Sequence, residues 1–250
     1  MIVTVGSIRG APGATSWALL LGAAWPAEFD EQRVVLEADP AGGVIGARYG
    51  LGVEPGALRL VTAMRRNGST AIDVEGAARV IDERLLVVPG PESGEQARPV
   101  WADSAADIAR QLAVDSRVWI VDIGRTDESN PCVAFTQLAK LTVTVTGARP
   151  EDLVQLPVRV AALGRGGGRV AVIVSGRCEF TAADVESFSG PDAAWVVDPR
   201  SDLIDEVGAL LAGRRARRSW LWRQSLEVAA GLAQLAHAPL AARSVAGGAG

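Results

Sequence analysis

A glycine-rich segment near the start of the chain has the residue types that bind a phosphate group. Residues 6–16 read Gly-Ser-Ile-Arg-Gly-Ala-Pro-Gly-Ala-Thr-Ser, and they connect an apolar run at residues 2–5 to a helix-like run at residues 15–24. A strand, a glycine turn and a helix start in this order point backbone N–H groups and the positive end of a helix dipole at one anion. The hydroxyl of Thr15 at the helix start can also hold a magnesium ion.

Two acidic residues complete this chemistry, because each follows an apolar run that is typical of a strand. Asp39 comes after the run 34–36, and Asp122 ends the run 118–121. In open α/β sheets, ligands bind at the carboxyl ends of the strands. We therefore expect Thr15, Asp39 and Asp122 to meet in one crevice. Each motif alone has an ordinary alternative as a tight turn, so the prediction depends on their combination.

The segment at residues 9–15 resembles the deviant Walker A loop of the ParA and MinD ATPases. The family loop reads Lys-Gly-Gly-x-Gly-Lys-Thr, whereas this chain has Arg-Gly-Ala-Pro-Gly-Ala-Thr. The resemblance implies that ATP with Mg²⁺ is bound by Gly10, Ala11, Pro12, Gly13, Ala14, Thr15 and Ser16. It also implies that Arg9 replaces the lysine that reaches the partner's phosphates across a homodimer, where a guanidinium offers two parallel hydrogen bonds.

The second lysine of the family motif is missing, because Ala14 stands in its place. In the family that lysine reaches the β- and γ-phosphates, and a hydrogen bond to a charged group contributes about 1.5–3 kcal/mol. Its loss corresponds to a roughly ten- to hundredfold weaker affinity. We expect weakened rather than abolished nucleotide binding, since the backbone amides and Thr15 remain, and slow ATP hydrolysis at best.

Later landmarks occur in the order found in the family. Glu37 and Asp39 resemble the two acids of its first switch segment, the second of which lies near the attacking water and the magnesium ion. The resemblance therefore gives Asp39, together with Arg9, a catalytic role and implies that Thr15, Asp39 and Asp122 hold magnesium. Asp122 resembles the Walker B acid that supports magnesium through water. Arg125, which follows shortly after, is a candidate phosphate contact.

The resemblance covers residues 1–212 as one domain. Near its end, Asp198 and Pro199 resemble the loop that passes over the base, and they are therefore predicted nucleotide contacts. The adenine-contacting asparagine that many relatives carry after the run 170–174 is not evident. Residues 213–237 are predicted to form a basic C-terminal helix, packed on the domain or appended to it, and residues 238–250 have the composition of a disordered tail.

The elements that must position these residues alternate between strands and helices. Predicted strands are the apolar runs 2–5, 34–36, 85–88, 118–121, 141–145, 170–174 and 194–197. Predicted helices are 15–24, 104–113, 152–163 and 202–211, with short ones around 58–64 and 74–80. This alternation predicts an α/β fold with a mostly parallel, doubly wound sheet flanked by helices, similar to P-loop NTPases.

The predicted terminal helix concentrates positive charge in a chain whose net charge is −4. Its arginines and tryptophans interleave as Arg214, Arg215, Arg217, Arg218, Trp220 and Trp222. Such a composition suits an anionic membrane surface, used by MinD-like relatives, or nonspecific DNA, used by ParA-like relatives. The alternative is a helix that buries its tryptophans against the sheet and leaves its arginines in water.

Composition argues against several other classes of protein. Cys132 and Cys178 are too few for a disulfide framework or a zinc site, and His237, the single histidine, has no nucleophile motif nearby. The glycine spacing does not fit a dinucleotide-binding fingerprint. No run approaches the roughly 18 apolar residues of a spanning helix, so we expect a cytoplasmic protein, peripheral at most to membrane or nucleoid.

The sequence therefore leaves two functions open. The first is an ATP- and Mg²⁺-binding switch that positions a partner protein in cell division or chromosome partitioning, as a homodimer with weak ATPase activity. The second is a catalytically inactive pseudo-ATPase that serves as a dimeric localisation or assembly scaffold, and Ala14 is the feature that favours it.

Overall fold

Eight strands form one sheet at the centre of the computed structural model, which describes residues 1–9, 13–29, 31–66, 72–199, 203–212 and 219–239. In chain order they are β1 (Ile2–Ser7), β2 (Arg33–Glu37), β3 (Arg79–Val80), β4 (Leu85–Val88), β5 (Val118–Arg125), β6 (Leu141–Gly147), β7 (Arg169–Ser175) and β8 (Ala193–Val197). All seven predicted strands are present. Burial on both faces explains why their apolar runs are continuous rather than alternating.

The sheet is parallel except at one edge. Across it the order is β3-β4-β2-β5-β1-β6-β7-β8, and β3 pairs antiparallel with β4. The other adjacent pairs run parallel. Asp122 of β5 is in register with Val5 of β1 on one side and with Glu37 of β2 on the other. The carboxyl ends of these three strands therefore lie at one level, as the sequence predicts.

Helices cover both faces of the sheet. They are α1 (Ala14–Ala24), α2 (Ile45–Arg48), α3 (Ala57–Arg66), α4 (Val74–Ala77), α5 (Gly94–Val114), α6 (Pro150–Leu153), α7 (Leu156–Gly164), α8 (Ala182–Ser189), α9 (Leu203–Leu211) and α10 (Trp220–His237), with 3-10 turns at Ala27–Phe29 and Pro131–Gln137. Val35 packs in the core that contains α1 and α10, whereas its neighbour Val34 packs in the core that contains α3 and α5. Because successive side chains alternate across a strand, these cores lie on opposite faces, which confirms the doubly wound α/β class.

Helix α5 begins earlier than the sequence predicts. The predicted segment 104–113 is only its end, because the helix starts at Gly94. Ser93 caps it, and its side chain accepts a hydrogen bond from the backbone N–H of Gln96 at 3.3 Å. A serine cap satisfies one of the unpaired N–H groups of a first turn, so α5 extends back to the loop that follows β4.

Two further segments differ from the prediction. The predicted helix at 152–163 is divided into α6 and α7, and Pro157 lies in the first turn of α7, where its missing N–H does no harm. The predicted short helix at 74–80 ends at Ala77, after which Ala78 is extended and the chain continues as β3. Helix α8 was not predicted, although Thr181 and Asp184 form a capping box at its start.

Helix α10 packs against the domain through its apolar side. Leu221, Val228 and Leu232 are buried in the core that contains α1. Trp222 is buried as well, whereas Trp220 is 37% exposed. In the described part of the predicted basic helix, Trp222 is therefore packed in the domain, and only Trp220 is accessible at the surface. Arg214, Arg215, Arg217 and Arg218 lie outside the described residues.

No helix within the described ranges combines the length and the apolar character needed to cross a lipid bilayer.

Candidate functional site

A cleft of about 1140 Å³ lies at the carboxyl edge of the sheet. Its walls come from the ends of β1, β5, β6 and β7, the loop after β2, and the first turns of α1 and α9. In α/β sheets of this kind, the strand order reverses beside the first strand, and ligands bind at that point. The cleft is therefore where the topology predicts a ligand.

The amino end of α1 opens into this cleft. Gly13 precedes the helix in the left-handed conformation, with φ of 85°, and this N-cap residue provides no side-chain cap for the first turn. The first N–H groups of an α-helix have no partner within the helix, so an uncapped end offers donors to an anion. Gly13 is required here for a second reason, because a Cβ would lie 2.9 Å from Cδ1 of Leu203 on α9.

Asp122 has a buried oxygen that no described residue satisfies. The residue is 0% exposed, and its Oδ1 accepts a hydrogen bond from the N–H of Gly124 at 3.1 Å. Its Oδ2 is buried and has no hydrogen-bond partner among the described residues. Burial raises the pKa of Asp122 to about 7, and the nearby Thr15 side chain opposes this shift. A cation bound beside Thr15 would satisfy the buried oxygen and hold the carboxyl in its charged form.

Asp39 reaches the same place from the loop after β2. Its Oδ1 accepts a hydrogen bond from the N–H of Ala41 at 2.7 Å, which fixes the loop in a tight turn. Its carboxyl lies so close to Gly124 that a Cβ at position 124 would collide with it, and Gly124 has a φ of 68°. Burial raises the pKa of Asp39, while Arg125 and Arg98 act in the opposite direction.

Glu37 forms hydrogen bonds with the backbone of two loops rather than binding a ligand. Its Oε1 accepts hydrogen bonds from the N–H groups of Val44 at 2.6 Å and Ile45 at 3.0 Å, and its Oε2 accepts one from Gly90 at 2.8 Å. Both oxygens are thus occupied by backbone donors, and the residue is buried. Desolvation raises the pKa of Glu37, and these hydrogen bonds counteract it. The side chain ties the loop after β2 to the loop after β4.

The residues present fit a magnesium ion held together with phosphate. Among the described residues, no group of three or more His, Cys, Asp or Glu side chains converges on one point. A metal held by protein side chains alone is therefore not supported there. Magnesium commonly keeps several waters and uses one or two carboxylates with substrate phosphates. Thr15 and the unsatisfied oxygen of Asp122 match that pattern.

Comparison with known proteins finds similarity in structure alone. No family model and no curated protein matches the chain. A ParA family ATPase from Chlorobium tepidum superposes with a TM-score of 0.70 at 17% identity, over 92% of this chain and 98% of that one. The cell division ATPase MinD of Pyrococcus furiosus gives 0.72 at 15% identity, over 94% and 98%. The septum site-determining protein MinD of Pyrococcus horikoshii, complexed with Mg-ADP, gives 0.71 at 16% identity, over 95% and 98%.

The chain has the ParA/MinD fold. The likeness covers nearly all of each matched structure and more than nine-tenths of this chain. The P-loop NTPase-like class predicted from the order of the motifs is therefore confirmed.

Most of the predicted site residues that the structure describes line the cleft of this ParA/MinD-like fold. They are Gly13, Ala14, Thr15, Ser16, Asp39, Asp122 and Pro199. Arg9 and Asp198 are exposed and are not among the residues that line the cleft, and the carbonyl of Asp198 accepts a hydrogen bond from Nε1 of Trp220 at 3.2 Å. Gly10, Ala11 and Pro12 lie outside the described residues.

Among the described residues, five arginines line the same cleft, and sequence reasoning identified one of them. They are Arg48 of α2, Arg98 of α5, Arg125 of β5, and Arg149 and Arg177, which follow β6 and β7. Three of the five stand at or just after the carboxyl end of a strand, a signal that the sequence contained. Arg98 and Arg48 lie on helices, and no local pattern assigns them to the cleft.

The side of the cleft beside β6 and β7 is polar and carries charges of both signs. Arg149 lies 3.9 Å from Glu151, and Ser175 accepts a hydrogen bond from Nε1 of Trp17 at 3.3 Å. The carboxyl of Asp152 packs directly over Gly147. The asparagine that many ParA/MinD relatives place here has no counterpart on this wall among the described residues.

Proposed function

We propose that the chain is a nucleotide switch that binds ATP with Mg²⁺ in the cleft and positions a partner protein. The observation that carries this proposal is the buried, unsatisfied Oδ2 of Asp122 beside Thr15, at the uncapped amino end of α1. The structural neighbours support the coarser role, because they are a ParA family ATPase and cell division proteins of the MinD type.

The chain's own residues have distinct tasks in this proposal. The first-turn N–H groups that follow Gly13 hold phosphate oxygens, and Thr15 with Asp122 holds the metal. Asp39 stands at the edge of the same cleft, where it can orient an attacking water. Bound nucleotide would supply the γ-phosphate whose presence or loss defines the two states of the switch.

Arg9 supports a homodimer within this proposal. It is exposed and does not line the cleft of its own chain. A guanidinium in that position is free to meet the phosphates of a second copy, as the family resemblance implies, and it would form two parallel hydrogen bonds with them. Dimer formation would then depend on bound nucleotide.

Calorimetric titration with ATP, with and without magnesium, tests the proposal while light scattering follows the mass of the protein. We expect saturable binding that requires magnesium, together with a doubling of mass. The Asp122→Asn variant should bind ATP without the magnesium dependence, because it removes the charged ligand. Absence of binding at millimolar ATP would refute the switch.

A second candidate, the pseudo-ATPase scaffold, is favoured by one specific observation. Ala14 is 8% exposed and lines the cleft with a methyl group where the family has a lysine. The Ala14→Lys variant separates the candidates. A working site should show nucleotide binding and turnover above background in this variant, whereas a scaffold that has lost its site should stay at background in both measurements.

A further inference from the structure

The missing lysine leaves the phosphate end of the cleft in need of positive charge. Ala14 is almost fully buried, and its methyl group carries no charge. Lys140, the single lysine of the chain, comes directly before β6, and its N–H bonds to the carbonyl of Ile2 at the amino edge of the sheet. Ligands bind at the opposite, carboxyl edge. Within the described residues, any replacement charge must therefore come from arginine.

Arg125 stands beside the start of the phosphate-binding segment. It is the last residue of β5, and it is in register with Ser7, the last residue of β1. Both residues line the cleft. The phosphate-binding segment of the sequence begins where β1 ends at Ser7, so Arg125 lies beside the end of that strand.

Arg98 lines the same cleft from a different element. It lies in the first half of α5, which extends back to the loop after β4, and its side chain lines the cleft. Arg98, Arg125 and Asp39 all line the cleft, and the positive charges of both arginines act to lower the pKa of Asp39. Neither has an ion-pair partner within 4.0 Å in the described part of the chain. Their hydrogen-bond donors remain available to an anion.

We propose that Arg98 and Arg125 together supply the phosphate-directed positive charge that a lysine at position 14 would supply. The cleft thus takes the polyphosphate end of its ligand between these two side chains and the amino end of α1. This inference rests on the proposed nucleotide switch and adds the residues by which the site works without its lysine. Guanidinium groups suit the task, because each can bind two phosphate oxygens at once.

Two other cleft arginines, Arg149 and Arg177, are less suited to this position. Arg149 is near Glu151, and Arg177 follows β7, which is separated from β1 by β6. Arg110 provides a control outside the cleft, because it lies on α5 like Arg98 and is exposed. Replacing it removes the same charge from the same helix without touching the cleft.

Calorimetric titration with Mg-ATP, and separately with inorganic tripolyphosphate, tests the proposal on the full chain. The Arg98→Ala/Arg125→Ala double variant should bind both ligands at least tenfold more weakly than wild type, because each lost charge-assisted hydrogen bond weakens affinity by about tenfold. The Arg110→Ala variant should bind as wild type does. Exposed side chains are replaced in each case, so thermal unfolding should show little loss of stability.

A compensation experiment makes the test sharper. Ala14→Lys should raise Mg-ATP affinity at least tenfold in the Arg98→Ala/Arg125→Ala background but less than threefold in wild type, because the arginines already supply the charge. Equal gains in both backgrounds would overturn the inference. If Ala14→Lys does not fold, the double arginine variant decides alone.

The outcomes separate this inference from the proposed function. Wild-type binding with an unchanged double arginine variant would overturn the arginine assignment and leave the nucleotide switch intact. Absence of binding by wild type to both Mg-ATP and tripolyphosphate would overturn the two together.

Discussion

At the scale of single residues, the Asp122 carboxyl has a protonation state that depends on whether the protein is folded. Its pKa is raised to about 7 by burial, whereas an unfolded chain has a value near 3.9. The folded protein therefore keeps this proton over a pH range in which the unfolded chain has already released it. At low pH the Asp122 carboxyl is protonated in both states and does not destabilise the folded protein. As the pH rises from about 4 to about 7, the free energy of unfolding falls, because the folded protein must bury a charged carboxylate.

We predict that Asp122→Asn stabilises the ligand-free protein more at high pH than at low pH. Asparagine has a similar shape but carries no charge, so it avoids the cost of a buried carboxylate. Thermal unfolding of both proteins between pH 5 and pH 8 checks this, and the melting temperature of the variant relative to wild type should rise across the range. The exposed Asp205→Asn variant should show a constant difference. A constant difference for Asp122→Asn as well would mean that the carboxyl is not protonated in the folded state.

The types of the residues at the site were predictable, but their detailed roles were not. Asp39 and Asp122 could be assigned because each follows an apolar strand at the edge where ligands bind. Glu37 looked like a partner of Asp39, yet its oxygens are occupied by backbone groups from segments around residues 44 and 90. Such contacts join positions far apart in the sequence, and no local pattern contains them.

At the scale of elements, the junction of β2 and β5 depends on a glycine. Gly124 continues β5 past Asp122 with a φ of 68°, and the Asp39 carboxyl from the loop after β2 lies against it. A side chain there would both strain the backbone and push Asp39 away. Gly50 offers a matched control, because its φ is 67° and an added Cβ would meet nothing within 4 Å.

We predict that Gly124→Ala destabilises the protein by about 2–4 kcal/mol, whereas Gly50→Ala costs about 1 kcal/mol from the backbone conformation alone. Urea unfolding of the two variants measures the difference. Magnesium-dependent ATP binding should also weaken in Gly124→Ala and remain unchanged in Gly50→Ala. Equal destabilisation in both variants would show that the Asp39 contact contributes nothing to the junction.

Elements were predicted well where the apolar pattern was strong. The strands are continuous apolar runs because helices cover them on both faces, and all seven predicted runs are strands. The first turns of α5 are polar and contain Pro99, so the periodic pattern begins only later, and the cap at Ser93 was the sole signal of the true start. Consequently Arg98, which lies in these turns, was missed as a cleft residue.

At the scale of the whole molecule, helix α10 is packed into the core of the domain. Leu232 is 0% exposed, and a Cβ at the adjacent Gly231 would lie 2.6 Å from the Trp195 ring of β8. The helix also packs along α1, whose amino end forms the floor of the cleft. An amphipathic helix that inserts into a membrane must free its apolar side. In α10 that side is occupied by the domain itself.

We predict that Leu232→Ala lowers the free energy of unfolding by about 2–5 kcal/mol, because it leaves a cavity between α10 and the rest of the core. Leu226 lies on the same helix but is 43% exposed, so Leu226→Ala should change stability by less than about 0.5 kcal/mol. Urea unfolding followed by tryptophan fluorescence measures both values, since Trp222 is buried in the same contact. If the two variants are equally mild, α10 is only loosely attached, and its apolar side would be available to a membrane or a partner. A large effect of Leu232→Ala alone would instead restrict any membrane or DNA contact to the polar surface of the helix.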